Sequence, residues 1–214
     1  MIVSDTHKFV FIHIPKTAGI SVRKTLEPYA TVPIFKRAVP HLVKRPKQKN
    51  PLLFQHATAK NINRLVLKDR WNGYFTFCFI RNPWDWMVSW YLFWKTKSKA
   101  GGDICVRAKR LTFNDYVTWY HSTKPQPARN RIRLGFSEFT HDDSKKKLIK
   151  FVGRFERFEE DFSTICSTLG IPCKVFKLNT TKRNKPYRKF YNEQSIQLVT
   201  SIFKNDIKEY GYSF

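Results

Sequence analysis

Short apolar runs alternate with stretches of helical spacing along most of the chain. Residues 8–14 (KFVFIHI), 74–80 (YFTFCFI) and 148–156 (LIKFVGRFE) are apolar without the strict alternation of a half-exposed strand. Runs of this kind are typical of parallel strands that are covered on both faces. With the helical stretches between them, they predict an α/β fold with a mainly parallel sheet flanked by helices. No internal repeat or linker divides the chain, so we expect a single domain over residues 1–214.

The remaining elements are predicted from shorter patterns. Two more short strands are expected at 52–58 and 173–179. Helices are predicted where apolar residues recur at helical spacing. These segments are residues 21–29, 59–67, 83–97, 112–120, 157–170 and 192–212. The long polar stretch from His121 to Lys147 favours no particular element.

The first predicted strand runs into a loop that is suited to binding an anion. The segment IHIPKTAGIS places Pro15 where the strand must stop and Gly19 where the backbone can approach a ligand closely. In parallel sheets, ligands bind beyond the carboxyl ends of the strands, where helices begin. The backbone N–H groups of residues 17–21 would then lie at the N-terminus of the following helix, where amide donors and the helix dipole favour phosphate.

Polar side chains in this loop add to its expected affinity for anions. Lys16 supplies a positive charge, and Thr17 and Ser21 supply hydroxyl donors. The loop is P-loop-like, but the GxxxxGK[ST] motif is absent because the lysine precedes the glycine. The plain structural alternative is a strand–turn–helix connection whose polar residues are incidental.

A second strand, turn and helix carry a similar set of residues. In FCFIRNPWDWMVSWY, Asn82 is a suitable N-cap, Pro83 fits the first helical position and Asp85 fits the first turn. Arg81 ends the strand, and Ser89 lies further along the helix, a rise of about 9 Å from Pro83. Arg81 and Ser89 would hold one anion if the helix runs back alongside the site. Otherwise Arg81 forms a structural ion pair and Ser89 packs the helix.

The composition adds a strong positive charge. The chain carries 40 Lys and Arg against 16 Asp and Glu, a formal net charge of +24. Basic residues are densest in residues 35–50 and 174–190, whereas acidic residues cluster in 154–162. This uneven distribution indicates a polyanionic partner, which is nucleic acid, an anionic glycan or a phosphate-rich cofactor. A solvated basic surface without a partner is the alternative.

The cysteines and tryptophans indicate buried side chains rather than metal ligands. Cys78 lies in an apolar run and Cys166 on a predicted helix, as expected for buried thiols. None of the cysteines has CxxC spacing, so neither a zinc site nor a disulfide framework is expected. Tryptophans also recur at helical spacing and are expected mostly in the core. These residues are Trp84, Trp86, Trp90 and Trp94.

The sequence shows no membrane segment. No uninterrupted apolar stretch approaches the ~20 residues that span a bilayer. The first residues, MIVSDTHKFV, lack the charged start and apolar core of a signal peptide. We therefore expect a soluble cytoplasmic protein. A luminal domain of the Golgi type, trimmed from its membrane anchor, is the alternative.

Two of these stretches resemble motifs of a known family, the sulfotransferases. IHIPKTAGIS resembles the loop that binds the 5′-phosphosulfate, and FIRNPWDWMVSWY resembles the strand and helix that bind the 3′-phosphate. The sequences of the two motifs most resemble those of the carbohydrate-type branch. FVGRFERFEEDF and LNTTKRNKPYRKFY also resemble later segments of the small members of that branch. The pair of motifs in this order is a specific signal. The departures are Ile20, where the family usually has threonine or serine, and Trp86, where a basic residue is commoner.

The resemblance implies a sulfotransferase that uses 3′-phosphoadenosine 5′-phosphosulfate (PAPS) and needs no metal. A sulfuryl group would pass to a hydroxyl or amine of an acceptor, expected to be an anionic or neutral glycan or another small hydroxyl compound. Lys16 would neutralise the oxygen that bridges phosphate and sulfate, and Arg81 and Ser89 would hold the 3′-phosphate. The implied donor-binding residues are Pro15, Lys16, Thr17, Ala18, Gly19, Ile20, Ser21, Arg81, Ser89, Arg154, Tyr187 and Arg188.

An acceptor hydroxyl also needs a base, and imidazole suits this task because its pKa lies near neutral pH. The resemblance favours His56, which lies between a predicted short strand and a helix. His13 is the competitor, but it lies in the donor loop and is expected to support that loop. If His56 is not the base, Glu156 or Asp161 must be considered, although both are expected to be donor-site scaffolding.

A basic cluster late in the chain has two interpretations beyond that of a solvated face. It closes over the 3′-phosphate, or it binds an anionic acceptor. Its members are Lys182, Arg183, Lys185 and Arg188. Tyr187, which lies among these cations, would stack on adenine or on a sugar.

Two other classes of protein share some of these features. A P-loop-type nucleotide kinase shares the strand–loop–helix arrangement, but it needs GK[ST] and an acidic magnesium ligand that the sequence does not offer. A basic nucleic-acid-binding protein would account for the charge and the aromatic residues, but not for paired anion loops at strand ends. The paired loops therefore favour the sulfotransferase interpretation.

Overall fold

The structure is a computed structural model that describes residues 1–31, 56–97, 103–123, 135–174, 183 and 185–214. The chain folds into two compact units, each assembled from two segments. The first unit comprises Met1–Ile80 and Phe136–Leu178, and the second comprises Arg81–Gly135 and Asn179–Phe214. The expectation of a single domain stays a prediction.

The described part of the first unit contains a four-stranded sheet. Its strands lie in the order β1 (Ile2–Ser4), β2 (Phe9–Ile12), β3 (Phe75–Ile80) and β4 (Phe151–Arg154). Strands β2, β3 and β4 run parallel, and β1 pairs with β2 in the antiparallel sense. The prediction of a mainly parallel sheet is confirmed, and the three apolar runs are its three parallel strands. The other two expected strands fall mainly outside the described residues, and their described ends are not strands.

Nine helices occur among the described residues. They are α1 (Gly19–Leu26), α2 (Ala59–Ile62), α3 (Pro83–Thr96), α4 (Asp103–Arg110), α5 (Phe113–Ser122), α6 (Phe136–Thr140), α7 (Phe158–Leu169), α8 (Glu193–Ile202) and α9 (Lys204–Tyr210). A wide π-helical turn, Asn63–Leu67, continues α2. Tighter 3-10 turns occur at Glu27–Tyr29, Lys68–Gly73, Phe155–Arg157 and Tyr187–Phe190.

Some predicted boundaries are wrong, and β1, α4 and α6 were not predicted. The helix expected at 192–212 is two helices, because the backbone leaves helical geometry at Phe203 (φ −108°, ψ 23°) without any proline or glycine there. The helix expected at 21–29 ends earlier, because Pro28 has no N–H to continue the helical hydrogen bonds. Strand β1 is too short for a pattern to reveal it, and α4 lies in a strongly charged segment.

Residues from two neighbouring strands build the core of the first unit. Phe9 and Phe11 of β2 and Phe77 and Phe79 of β3 are almost fully buried. They cluster with apolar side chains of α1 and α7, namely Val22, Leu26, Phe162, Ile165 and Cys166. Burial of one such side chain contributes about 1.5–3 kcal/mol. This core therefore fixes α1, and with it the loop that precedes α1, against the sheet.

Helix α3 carries a row of tryptophans in the second unit. Trp84, Trp86 and Trp90 are buried, whereas Trp94 is half-buried near the end of the helix. The rings of Trp86 and Trp90 stack with their centroids 5.2 Å apart, and Phe203 lies edge-on to Trp86. The expectation that most of these tryptophans belong to the core is confirmed.

The remaining expectations about composition concern thiols, membranes and metals. Cys78 and Cys166 are buried, as expected, and Cys105 is buried as well, whereas Cys173 is exposed. Within the described ranges, no helix has the length and apolar character needed to cross a membrane. The same residues contain no group of His, Cys, Asp and Glu side chains arranged to hold a metal ion.

Candidate active site

The loop between β2 and α1, residues 13–18, has an unusual backbone and is named here the phosphate loop. Lys16 (φ 65°) and Ala18 (φ 62°) both adopt the left-handed conformation, which costs a non-glycine residue about 1–2 kcal/mol. Left-handed residues beside ordinary ones can turn successive N–H groups to one side and form a concave anion site. Ala18 is also the N-cap of α1 and makes no side-chain capping bond. The first N–H groups of α1 thus lack a side-chain cap, which suits an anion site.

The hydroxyl groups near this loop differ in their roles. Thr17 is fully buried, and its hydroxyl donates to the backbone oxygen of Ile14 at 3.0 Å. That bond ties the loop to the end of β2, so the Thr17 hydroxyl is already engaged within the protein. Ser21 is buried in the first turn of α1, where its backbone N–H donates to the oxygen of Ala18 at 2.9 Å.

Ile20 stands out in the first turn of α1 because its side chain is 47% exposed. It occupies the position where the resemblance leads one to expect a hydroxyl. An exposed apolar side chain cannot donate a hydrogen bond to an anion, so any donor at this position must be the backbone N–H.

Gly19 is required by the packing of His13. A Cβ atom on Gly19 would lie 2.0 Å from Cδ2 of the His13 ring, a distance that no real contact allows. The structure shows that the missing side chain of Gly19 makes room for the His13 ring, and the expectation that Gly19 also lets a ligand approach stays a prediction. His13 is buried, and burial, reinforced by the nearby His56, lowers the pKa of His13 well below its ordinary value of 6.5. The ring of a neutral His13 therefore packs against Gly19 at the start of α1.

His56 is oriented by the backbone of His13. Its Nδ1 lies 2.8 Å from the carbonyl oxygen of His13, and the two rings lie 4.5 Å apart. A carbonyl oxygen only accepts hydrogen bonds, so Nδ1 carries the hydrogen in the neutral ring and Nε2 carries the lone pair. The chain then enters α2, whose N-cap is Thr58. This arrangement fixes the tautomer that a general base needs.

In the second unit, two arginines share one buried carboxylate. Arg81 directly follows β3 in the chain, and its Nε donates to Oδ2 of Asp85 at 2.7 Å. The other carboxylate oxygen of Asp85, Oδ1, accepts from Arg183. Arg81 and Asp85 are 7% and 6% exposed, so this pair is almost removed from water. The group of Arg81, Asp85 and Arg183 is named here the arginine cluster. The ion pair considered as an alternative for Arg81 is present.

Two neighbouring residues, Asn82 and Tyr191, form three hydrogen bonds with the start of α3. The Oδ1 atom of Asn82 accepts from the backbone N–H groups of Trp84 (3.1 Å) and Asp85 (3.3 Å). The hydroxyl of Tyr191 donates to the oxygen of Trp84 at 2.8 Å. Burial, followed by the negative charge of Asp85, raises the pKa of Tyr191 well above 10.0, which keeps this hydroxyl protonated as a donor.

Ser89 carries a buried hydroxyl whose hydrogen-bonding capacity is not used within the described part of the chain. Its side chain is 2% exposed, and its Oγ contacts no hydrogen-bond partner among those residues. Leaving such a group unsatisfied costs about 1–3 kcal/mol. A ligand oxygen that accepted from Ser89 would remove this cost. The chemistry of Arg81 and Ser89 therefore fits a phosphate group.

Tyr187 and Arg188 lie together in a 3-10 turn of the second unit. The ring of Tyr187 is edge-on to Phe214 with centroids 5.8 Å apart. The Arg188 guanidinium lies over Phe214 at 5.1 Å and over Tyr187 at 5.7 Å. Tyr187 is half-buried and Arg188 is exposed. Lys182, which the sequence grouped with them, lies outside the described residues.

Asp161, one of the two acidic alternatives to His56, holds the backbone near Arg154. The N–H of Arg154 donates to Oδ2 of Asp161 at 2.6 Å, and Arg157 lies 3.5 Å from the other oxygen of Asp161. Asp161 is buried. Its carboxylate therefore supports the turn that follows β4, and its expected role as scaffolding of a donor site stays a prediction.

Sequence reasoning missed the partners that complete these sites. Asp85 was expected only to complement the dipole of α3, and its contact with Arg183 joins positions 98 residues apart in the chain. The i, i+4 spacing of Arg81 and Asp85 could have suggested the ion pair between these two residues. Phe214, which contacts both Tyr187 and Arg188, gave no signal in the sequence.

The fold and site define an α/β protein with anion-binding features at two strand-to-helix turns. The model of the sulfotransferase family matches residues 1–213, and the chain belongs to that family. Membership supports sulfuryl transfer as the general reaction. An uncharacterized protein from Archaeoglobus fulgidus is 29% identical over 131 residues, which cover 60% of this chain and 94% of that protein. No solved structure gave a significant match to the chain.

Proposed function

We propose that this protein transfers a sulfuryl group from PAPS to a hydroxyl or amine of an acceptor, with carbohydrate as the expected acceptor class. The observation that carries the proposal is the buried, unsatisfied hydroxyl of Ser89 on the helix that begins beside Arg81. A 3′-phosphate would supply the missing acceptor for Ser89 and an anion for Arg81. The 3′-phosphate also distinguishes PAPS from ATP. The net charge of +24 agrees with an anionic donor and with an anionic glycan.

The phosphate loop is the proposed site for the 5′-phosphosulfate. The N–H groups at the start of α1 would donate to its oxygens, and the left-handed Lys16 and Ala18 set the direction of those groups. Lys16 would neutralise the charge that develops on the bridging oxygen as the bond to sulfur breaks. Bound PAPS supplies the activated sulfuryl group, and the protein supplies position and charge stabilisation.

His56 is the proposed general base. Its Nε2 atom would take the proton from the acceptor hydroxyl as that oxygen attacks sulfur. Its Nδ1–H remains bonded to the carbonyl of His13, so the ring stays oriented while it becomes charged. The neutral state of His13 avoids a second positive charge beside it. Lys16 and His56 are thus the proposed catalytic residues.

Titration calorimetry without magnesium tests the proposal directly. We expect one-to-one binding of 3′-phosphoadenosine 5′-phosphate, and much weaker binding of adenosine 5′-phosphate, which lacks the 3′-phosphate. Arg81→Ala should remove most of this preference, because a charge-assisted hydrogen bond is worth roughly 1.5–3 kcal/mol. A wild-type protein that binds both nucleotides equally well would contradict the proposal. Acceptors can then be screened with radiolabelled PAPS.

A further inference from the structure

Asp85 is an acidic group in a place where an anion site would not be expected to have one. It is 6% exposed, and both of its carboxylate oxygens are engaged. Oδ2 lies 2.7 Å from the Nε of Arg81 and 2.7 Å from one of its terminal nitrogens, while Oδ1 accepts from Arg183. One carboxylate therefore holds two guanidinium groups.

The charge of Asp85 alone would oppose phosphate binding. Like charges a few ångströms apart repel, and burial strengthens the repulsion. An aspartate that only balanced the charge of the arginines would therefore weaken the binding of a nearby phosphate, and removing the aspartate would strengthen that binding. Simple electrostatics therefore predicts that affinity for the phosphate rises when the charge of Asp85 is removed.

The geometry of the contacts points to a different role. Arg81 presents Nε and one terminal nitrogen to the same oxygen, Oδ2, and this two-point contact orients its guanidinium towards the carboxylate. A planar guanidinium carries five N–H donors, so this type of side chain can contact a carboxylate and a phosphate at the same time. Arg183, whose side chain is 28% exposed, is brought to the same carboxylate from a distant part of the chain. Asp85 thereby sets the relative placement of the two arginines.

We infer that Asp85 is a positioning residue for recognition of the 3′-phosphate, because it holds Arg81 and Arg183 as an oriented pair that meets one phosphate together. The inference rests on the proposed function. It assigns selectivity for the 3′-phosphate to a residue of the same charge as that phosphate. It also makes Arg183, rather than the other late basic residues, the partner of Arg81.

The test compares the affinities of 3′-phosphoadenosine 5′-phosphate and adenosine 5′-phosphate by titration calorimetry. We divide the dissociation constant of adenosine 5′-phosphate by that of 3′-phosphoadenosine 5′-phosphate. This ratio reports the contribution of the 3′-phosphate to binding, because a general loss of folded protein lowers both apparent affinities alike. Asp85→Asn should reduce this ratio by roughly tenfold or more, since positioned charge-assisted bonds are lost although the site becomes more positive. A ratio that is unchanged or larger in Asp85→Asn overturns the inference and shows that Asp85 only balances charge.

Three further variants complete the test. Asp206→Asn removes another buried carboxylate of the second unit and should leave the ratio as in wild type. Arg183→Ala should lower the ratio, and adding Asp85→Asn to it should cause little further loss, because the pair no longer exists. Asp85→Glu keeps the charge with a longer side chain and should restore part of the ratio.

The outcomes separate the inference from the proposed function. If Asp85→Asn does not fold, as judged by circular dichroism, the values for Arg183→Ala and Asp85→Glu decide. An Arg183→Ala ratio equal to that of wild type overturns the inference while the proposed function stands. A wild-type protein without preference for the 3′-phosphate removes both.

Discussion

A contact with the backbone of His13 sets the chemical form of His56. The carbonyl of His13 accepts from Nδ1, which leaves the lone pair on Nε2. The sequence indicated His56 through the resemblance alone, and it gave no reason for this tautomer. The position of the His13 ring beneath Gly19 was likewise not predictable, because it depends on a contact between a strand end and a helix start. What the sequence did reveal at this scale is the order of charged and hydroxyl residues along the loop.

Removing the imidazole of His56 should reduce turnover without loss of the nucleotide site. We expect His56→Ala to lower kcat by about 10²–10⁴-fold, the range typical for a general base. The wild-type rate should fall at acidic pH as the base becomes protonated, and the residual rate of the variant should lack that dependence. Steady-state kinetics across pH, together with calorimetry of 3′-phosphoadenosine 5′-phosphate, measure both effects. Near-normal turnover in a folded His56→Ala would rule out this role.

The buried His13 makes stability depend on pH. Its pKa is lowered in the folded state from the ordinary 6.5, so above that value the ring is neutral in both the folded and unfolded chain. Below it, the unfolded chain binds a proton that the folded protein does not, and stability falls by up to about 1.4 kcal/mol per pH unit. Urea unfolding at several pH values should show this loss, and His13→Gln should show a smaller slope.

His7 provides the matched control for that measurement. It lies in the same unit, in the turn that follows β1, and its side chain is half-buried. The slope of stability against pH should change more in His13→Gln than in His7→Gln, because the ring of His13 is the more deeply buried of the two. Equal slopes in His13→Gln and wild type would show that His13 does not govern acid sensitivity.

At the scale of elements, apolar runs identified the strands that matter for the site. Strands β2 and β3 are buried almost throughout, whereas β4 is mostly half-buried. All three were found from their apolar runs, which are typical of strands in parallel sheets. The break between α8 and α9 at Phe203 was not predictable, since the apolar spacing continues across it. Packing of the kind seen between Phe203 and Trp86 decides such breaks, and no local pattern reports it.

The N-cap of α3 should affect both stability and nucleotide binding. Asn82 accepts from two N–H groups of α3, and its amide nitrogen donates to the oxygen of Ser213 at 2.9 Å. Asn82→Ala should destabilise the protein by about 1–2 kcal/mol, as loss of a cap does. It should also weaken binding of 3′-phosphoadenosine 5′-phosphate, because Asp85 lies in the turn that the cap fixes. Chemical denaturation and calorimetry measure the two effects.

Thr112 offers a comparable cap away from the arginine cluster. Its hydroxyl accepts from the N–H of Asp115 at the start of α5. Thr112→Ala should lose a similar amount of stability, about 0.5–2 kcal/mol, and keep its nucleotide affinity. Equal affinity losses in the two variants would mean that the effect of Asn82 is only a general one on stability.

At the scale of the whole molecule, the excess of positive charge should make stability sensitive to anions. A net charge of +24 repels itself in the folded state, and added salt screens that repulsion. Chloride should therefore raise Tm to some extent. Sulfate at the same ionic strength should raise Tm further, because an anion bound only by the folded protein adds stability by mass action.

The arginine cluster separates the specific effect of sulfate from the general one. In Arg81→Ala, the additional rise in Tm with sulfate should shrink, whereas the rise with chloride should remain. Thermal denaturation in matched chloride and sulfate series measures both. An identical difference between the two salts in wild type and Arg81→Ala would assign the sulfate effect to other parts of the basic surface.

The contact between His13 and Gly19 constrains how this chain can diverge by mutation. A side chain at position 19 cannot be accommodated while the imidazole occupies that space, so Gly19 variants are excluded from the starting background. A smaller residue at position 13 would vacate the space and open position 19 to alanine or serine. In a library that randomises both positions, survivors with a changed residue 19 should nearly always carry a smaller residue 13. A substitution at position 13 would therefore have to come before one at position 19, and the two positions would be expected to change together.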